Sequence, residues 1–526
     1  MSAAGPPQGA NYAPSGGSAA ATAASVGAHI ANTPADALAL FRGASGISPP
    51  LLDQPLRSFA SREPVSCLPA TAIHAVLETM GREHIGAMVV TDPDQHPIGV
   101  FTLRDLLEKV ALGKVDIADP ISTVMDEAIW TLPSGAQGFE AAVLMAREGI
   151  RYVLLVEDGR LVGVVSESRL FSVWRGGIGD TSAMIRGARD VGEMITATAG
   201  IRVLVDRLLE ERMSADSVTR VITTLNDRVT ERLIEIVGGA TALERAGGCW
   251  IALGSQGRCE QTLATDQDNA VIFTDGGDIE SRRRELLPYA RKVNEALDRC
   301  GFPLCRGEVM ASNPKWCLSL SEWRRCFAQW IDEPDPQALL NATIFFDFRP
   351  IQGNHAVVSE LRGWLARHAV DSGRFLLPMV HNALTSQPPL GLVRDFILAS
   401  GGEHPDTLDL KVSGVQLFVE CARIYSLATG ITATNTLDRF AALARTRLLA
   451  GAEIEAWEES FRFMQLLRMR HNAVQRARGE PLHNHINPAV LNELDRRILK
   501  EALRQARNLQ SRLARDFSVA NANFGV

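Results

Sequence analysis

CWIALGSQGRCEQTLATDQDNAVIFT, residues 249–274, decides how the rest of the chain is read. An apolar run at 250–253 stops at Gly254-Ser255-Gln256-Gly257-Arg258, and a second run at 270–273 follows Thr265-Asp266-Gln267-Asp268. The pattern predicts a strand, a turn of small residues, and a carboxylate pair opening a second strand. Gly254 lets the backbone turn sharply and approach a phosphate with no Cβ in the way. Ser255 adds a hydroxyl and an N–H at the same place, Gly257 keeps the turn open, and Arg258 can fork onto a phosphate oxygen. Asp266 and Asp268 are two apart, so their side chains leave one face. Two carboxylates there call for a cation, and Mg²⁺, a hard ion that favours oxygen ligands and phosphates, is the expected one. The implied chemistry is nucleotidyl transfer at a two-metal site with a nucleoside triphosphate as substrate.

Working outward, 526 residues allow about three domains. The net charge of −7 and a pI near 5.9 argue against a general nucleic-acid binder. The eight cysteines include no Cys-x-x-Cys pair and sit mostly among apolar neighbours, which fits free thiols in a reducing compartment. No basic residue precedes Arg42 and no apolar run approaches a membrane span, so the expected location is cytoplasmic, with no membrane partner.

Residues 1–50 are rich in Ala, Gly, Ser and Pro and read as a disordered arm. Over 56–175 the chain repeats a helix, strand, turn, strand and helix at a period of about 60 residues. Residues 87–90 and 98–101 are the strands of the first copy; 152–156 and 161–165 are those of the second. Residues 176–238 form a helical linker, in which Val218, Ile222, Leu225, Val229 and Leu233 make one apolar stripe. From 351 to 526 apolar residues recur at three- and four-residue steps, the pattern of a helical bundle. His483-Asn484-His485 in that region reads as polar loop rather than as a metal site.

The repeat resembles a pair of CBS domains, modules that commonly bind adenine nucleotides between their two copies. That family's second strand ends in Gly-x-x-Thr/Ser-x-x-Asp; Gly99, Thr102 and Asp105 match it, while the second copy has Gly163, Ser166 and then Arg169. The resemblance implies a regulatory site for AMP, ADP or ATP on Thr102, Asp105 and Ser166, with one ribose site built on Asp105. It also implies a homodimer formed through the CBS pair.

Residues 254–269 resemble the polymerase-β-like nucleotidyltransferases. They match most closely the bacterial proteins that couple CBS pairs to a transferase domain, relatives of the PII uridylyltransferase and the glutamine synthetase adenylyltransferase. The fold implied is multidomain α/β plus α. It comprises a tandem CBS pair, a helical linker, a polymerase-β-like domain at 239–350 and a helical substrate-binding domain at 351–526. Carried over, Gly254, Ser255, Gly257 and Arg258 face the triphosphate, Asp266 and Asp268 hold the metals, and Glu260 and Thr262 shape the loop. A protein acceptor, a signalling protein among the candidates, is one reading, and transfer to a small molecule is the other. Relatives usually add a third carboxylate, and here 302–308 reads Phe-Pro-Leu-Cys-Arg-Gly-Glu, leaving Asp347 and Glu308 as candidates. A degenerate site in a non-catalytic nucleotide sensor is the alternative.

Overall fold

The computed structural model describes residues 54–60, 64–113, 115–167, 170, 178–391 and 395–518. The arm at 1–50 and Arg169 lie outside these residues. Both repeat copies follow one plan. In the first, β1 (Ser66–Cys67) pairs parallel with β2 (Ala87–Thr91), which pairs antiparallel with β3 (Pro97–Thr102). Helix α1 (Ile73–Arg82) buries Ile73, Val76 and Met80 against Met88, Val90 and Phe101. In the second, β4 (Thr131–Leu132), β5 (Tyr152–Glu157) and β6 (Arg160–Ser166) repeat that order beside α2 (Gly138–Glu148). Val89 packs on Leu154 and Leu161, and the Leu161 amide donates to the Gln95 carbonyl at 3.0 Å, so the copies are joined sheet to sheet.

The linker is three helices: α3 (Ile178–Gly187), α4 (Val191–Glu210) and α5 (Ala215–Ile236). Asp190 and Ser214 each accept a backbone N–H in the first turn of the helix that follows, which stops the preceding segment and starts the next. The stripe on α5 is buried throughout, together with Val221 and Ile234. One apolar cluster runs from Phe139, Val153 and Leu155 of the second repeat through α4 and α5 to Trp250, Val271 and Phe273. α5 is therefore a packed wall between repeat and sheet, not a tether.

The central sheet has four strands in the order β10-β7-β8-β9: β7 (Cys249–Ala252), β8 (Asn269–Phe273), β9 (Cys317–Ser319) and β10 (Arg349–Gly353). β7 runs antiparallel to β8 and β10, and β8 runs parallel to β9. A strand covered on both faces has no solvent side, so every residue of β7 is buried, and likewise β8. Trp250, Ala252, Val271 and Phe273 face α4 and α5; Cys249, Ile251, Ala270 and Ile272 face the C-terminal half. The short turn α6 (Gly254–Gly257) follows β7, and α7 (Ile279–Arg299) packs on the α4 and α5 side, whereas α8 (Leu320–Asp332) and α9 (Pro336–Phe345) cover the opposite face. Trp316, Trp323, Phe327, Trp330, Phe345 and Phe346 pack ring on ring beneath the sheet, with centroids 4.3–6.4 Å apart.

The bundle comprises α10 (His355–Asp371), α11 (Gly373–Thr385), α12 (Gln416–Thr429), α13 (Thr436–Thr446), α14 (Gly451–Ala477) and α15 (Glu493–Asp516). A two-residue ladder, β11 (Leu408–Asp409) on β12 (His485–Ile486), ties the segment before α12 to the loop after α14. β10 straddles the boundary expected at 350, because its partner β7 draws 351–353 into the sheet. His483 and His485 are more than loop residues: both stack against His404, at 4.2 and 4.3 Å between ring centroids, with His471 at 5.3 Å from His483. Among the described residues no helix is long and apolar enough to cross a membrane.

Candidate nucleotidyl-transfer site

Gly254, Asp266 and Asp268 come together at one end of the two inner strands, after β7 and before β8. Gly254 takes a positive φ of 53°, and a Cβ there would stand 2.9 Å from Oδ2 of Asp268. The turn α6 follows at once, and the Leu253 amide donates to the Asp268 carbonyl at 2.9 Å. The carboxylate pair lies in the extended segment just before β8 rather than inside it. Asp266 is exposed and Asp268 half-buried, while the alternating Gln267 and Asn269 point inward and are buried.

Those two amides clamp the next loop. Gln267 Nε2 donates to the Phe302 carbonyl at 2.8 Å, and its backbone amide donates to Pro303 at 3.1 Å. Asn269 receives the Ala311 amide on Oδ1 at 2.9 Å and gives its own amide to Val309 at 3.2 Å. Asn294 of α7 donates to both side-chain oxygens, at 2.7 and 2.9 Å. Held at both ends, the loop brings Cys305 to the carboxylates, and its thiol donates a hydrogen bond to Asp268.

The ligand atoms of Asp266, Asp268 and Cys305 all lie within 4.8 Å of one another. Among the described residues one other such trio exists, Asp92, Asp94 and His96 in the β2–β3 turn of the first repeat. Burial and then the Asp266 charge push the Asp268 carboxyl up to about 6; the Cys305 hydrogen bond and the charges of Lys411 and Arg258 pull it partly back. Burial raises the thiol, reinforced by Asp268 and Asp266. The three groups fit one divalent cation, with Asp266 and Asp268 supplying hard oxygens and Cys305 a soft sulfur.

The third carboxylate lies elsewhere. Asp347 is fully buried and accepts from Arg258 Nη1 at 2.8 Å, Arg423 Nη2 at 2.7 Å and Arg439 Nη2 at 2.6 Å. Burial alone would raise its pKa, but the Arg423, Arg439 and Arg258 charges outweigh it and hold the carboxyl well below the usual range. Such a group is a counter-ion, not a base. Glu308 is exposed at a positive φ of 55° and stands outside the ligand trio. Of the two candidates for the third acid, Asp347 is thus engaged elsewhere, and Glu308 is not among the groups that meet Asp266 and Asp268.

Arg258 is also corrected. Its guanidinium is 11% exposed and spans Glu260 at 2.8 Å and Asp347 at 2.8 Å, so it turns away from the place expected for a triphosphate. Two carboxylates, one wholly desolvated, hold it there more firmly than an open cleft would. Glu260 in turn accepts the Thr436 amide at 2.6 Å, Thr434 Oγ1 donates to the Gly257 carbonyl at 2.9 Å, and Asn435 Nδ2 donates to the Arg258 carbonyl at 2.8 Å. The turn after β7 is thus welded to the start of α13. Gly257 sits against the Asp347 carbonyl, and a Cβ there would run into it. Gly257→Ala is expected to cost about 3 kcal/mol or more, read as a lower urea midpoint.

From the other side α5 reaches the same turn. Asp227 accepts from Gln256 Nε2 at 3.1 Å and Arg349 Nη2 at 2.8 Å, and Asn226 Nδ2 donates to Gln261 at 3.0 Å. α2 of the second repeat packs on this helix. In the first repeat, Thr102 donates to Asp105 through its amide at 2.9 Å and its hydroxyl at 2.6 Å, and Lys109 pairs with the other oxygen at 3.0 Å. Ser166 ends β6, the equivalent position of the second copy.

Family models match three parts of the chain. The CBS domain matches 56–112 and 121–176, "Putative nucleotidyltransferase DUF294" matches 199–337, and "Putative nucleotidyltransferase substrate binding domain" matches 373–517. The chain belongs to the family that joins a CBS pair to a DUF294 nucleotidyltransferase domain.

Outside these matches the similarities are partial. An uncharacterized protein of Methanopyrus kandleri is 35% identical over 95 residues, 18% of this chain and 48% of the relative. Inosine-5'-monophosphate dehydrogenase of Mycobacterium tuberculosis is 26% identical over 207 residues, 37% of each chain. The chain spans 37–59% of the length of the curated relatives it matches. Among solved structures, a CBS domain protein from Pyrobaculum aerophilum complexed with AMP is 29% identical. It covers 22% of this chain and 88% of that one, with a TM-score of 0.21. A CBS-domain containing protein from Agrobacterium tumefaciens is 27% identical, covering 23% and 98%, with a TM-score of 0.22. The DUF294 match takes in α5 together with β7, β8 and the trio. The substrate-binding match supplies Arg423, Arg439 and the α13 cap.

Sequence reasoning missed Cys305, Lys411 and the Gln267–Asn269 clamp. The alternation in Thr265-Asp266-Gln267-Asp268-Asn269 carried the signal for the clamp: two acids on one face imply two amides on the other.

Proposed function

We propose that this DUF294 protein moves a nucleoside monophosphate from a triphosphate to an acceptor hydroxyl, with its CBS pair sensing an adenine nucleotide. The observation that carries the reading is the convergence of Asp266 and Asp268 on one face beside Gly254 and Ser255, where a Cβ at 254 would crowd the second carboxylate. The turn's backbone amides and Ser255 hold the β- and γ-phosphates. A cation on the two carboxylates, when bound, neutralises the triphosphate and steadies the leaving pyrophosphate. The acceptor oxygen forms a bond to the α-phosphorus as the bond to pyrophosphate breaks, and the hydroxyl proton leaves to solvent. The bundle, fixed to the turn through Glu260 and Thr436, presents the acceptor, which we take to be a protein.

Control runs through α5. The helix carries the second repeat's α2 on one face and holds Gln256 and Arg349 on the other through Asp227. The CBS matches support an adenine nucleotide in the cleft between the copies, and dimerisation through that pair is part of the same proposal. Asp105→Ala is expected to weaken AMP binding measured by calorimetry and to remove any AMP effect on turnover, leaving turnover without AMP unchanged.

The test of the whole reading is pyrophosphate release with each of the four NTPs and Mg²⁺ or Mn²⁺, with and without AMP. Release with one NTP, dependent on the cation, is expected; none with any NTP and any of these cations or Zn²⁺ or Co²⁺ sinks the catalytic reading. The burial of Asp347 favours a second reading, a nucleotide-binding sensor without transfer, because it ties up an acid just before β10 that could have served as base. Nucleotide binding without pyrophosphate release would select it.

A further inference from the structure

We propose that Cys305 is the third metal ligand of this site, so that with Asp266 and Asp268 it selects a thiophilic divalent cation of the zinc class over Mg²⁺. The inference rests on the reading of the carboxylate pair as a metal site and adds to it the identity of the missing ligand.

Position comes first. The sulfur and both carboxylates already stand within 4.8 Å of one another. A tetrahedral zinc with bonds near 2.1 Å to oxygen and 2.3 Å to sulfur holds its ligands about 3.5 Å apart, so a small closure completes three of four positions. The trio would leave the fourth position to water or substrate. Three protein ligands and one open position are the arrangement of a catalytic rather than a structural zinc site.

The placement is also built, not incidental. The strand extension that carries the two acids clamps the Cys305 loop on both sides. Gln267 holds Phe302 and Pro303 before it, and Asn269 holds Val309 and Ala311 after it. The Glu308 amide closes the loop onto the Cys305 carbonyl at 2.9 Å. Asn294 of α7 fixes both clamping amides and takes the Ser312 amide at 3.0 Å. Every element that aims the carboxylates therefore aims the thiol as well.

Chemistry then decides the metal. Mg²⁺ demands near-octahedral oxygen ligation and gains little from sulfur, whereas zinc and its thiophilic neighbours bind thiolate strongly. Binding forms a metal–sulfur bond and releases the thiol proton to water, with no oxidation or reduction. Of the candidate acids, Asp347 is tied to three arginines and Glu308 lies outside the trio, so neither restores an all-oxygen set.

The full chain, reduced and stripped of metal, is titrated with Co²⁺ and followed by absorption. The expected result is a thiolate-to-cobalt charge-transfer band that Zn²⁺ abolishes by competition and excess Mg²⁺ does not. Cys305→Ser should lose the band while circular dichroism stays unchanged, and Cys305→Asp should lose it and gain competition by Mg²⁺. A band that survives in Cys305→Ser assigns the sulfur to another cysteine and overturns the proposal. Co²⁺ bound by the unmodified chain without a band does so too, while leaving the carboxylate pair as a metal site. Failure to bind Co²⁺ with Mg²⁺-dependent pyrophosphate release intact overturns the thiol ligand alone; failure of both overturns the metal reading with it.

Discussion

Asp347→Asn should lower the stability of the folded chain by about 3–5 kcal/mol, the usual cost of removing one partner from a buried ion pair. The carboxylate has no exposed surface and accepts from three guanidiniums; the Asn amide replaces one anionic oxygen with a donor facing other donors. What remains is Arg258, Arg423 and Arg439 with Glu260 as the nearest counter-charge, and Arg423 and Arg439 each already hold one buried nitrogen without a partner. The sign of the pH effect follows. The folded pKa lies below the unfolded value of about 4, so the stabilisation is fully present above that pH and is lost as the pH falls beneath it. The variant should therefore show a shallower acid limb. Urea unfolding followed by tryptophan fluorescence reads both effects, since Trp316, Trp323 and Trp330 pack on Phe345 two residues before the site. Unchanged stability with lost transfer would return Asp347 to the list of catalytic acids.

The second large effect falls on the carboxylate pair and has the opposite signature. Asp266→Asn and Asp268→Asn are each expected to reduce transfer on the order of a thousandfold or more, ~4 kcal/mol of transition-state stabilisation. Stability should not follow. Asp266 is exposed, and Asp268 ionises against burial and the Asp266 charge, with its carboxyl pushed up to about 6. A raised carboxyl contributes stability that is present below about pH 4 and lost as the pH rises through about 6. At pH 7 without a cation, Asp268→Asn should thus be as stable as the parent or slightly more so. Loss of activity with no loss of stability marks a site that holds strain for function. Labelled-NTP transfer beside thermal unfolding measures the pair, and transfer that persists in both variants ends the catalytic assignment.

How far these positions could be read in advance depended on where their partners lie. Gly254, Asp266 and Asp268 are local: the turn and the alternation define them within 15 residues, and the sheet places them together as that pattern requires. The apolar runs on either side likewise reveal strands buried on both faces. Arg258 was misjudged because its partner Asp347 is 89 residues away and the two guanidiniums that share it are further still. Competition for one side chain between a ligand and a distant acid leaves no trace in periodicity. Cys305 was visible only as the absence of an acid, since its meaning comes from the Gln267 and Asn269 clamps. The stripe on α5 predicted its burial but not its second duty, because Asp227 lies away from that stripe and Asn226 at its margin, and both answer to the transferase turn.

One feature of the sheet bears on how the chain is divided. β10 and Asp347 both fall between 337 and 373, outside the two matched domains, yet β10 covers the edge of β7 and Asp347 neutralises arginines on α12 and α13. A fragment ended at the close of the first match leaves β7 with open backbone groups along one side. A fragment begun at the start of the second carries Arg423 and Arg439 with no counter-charge. The interval between the named domains is the keystone common to both, and the two halves are expected to unfold as one cooperative unit.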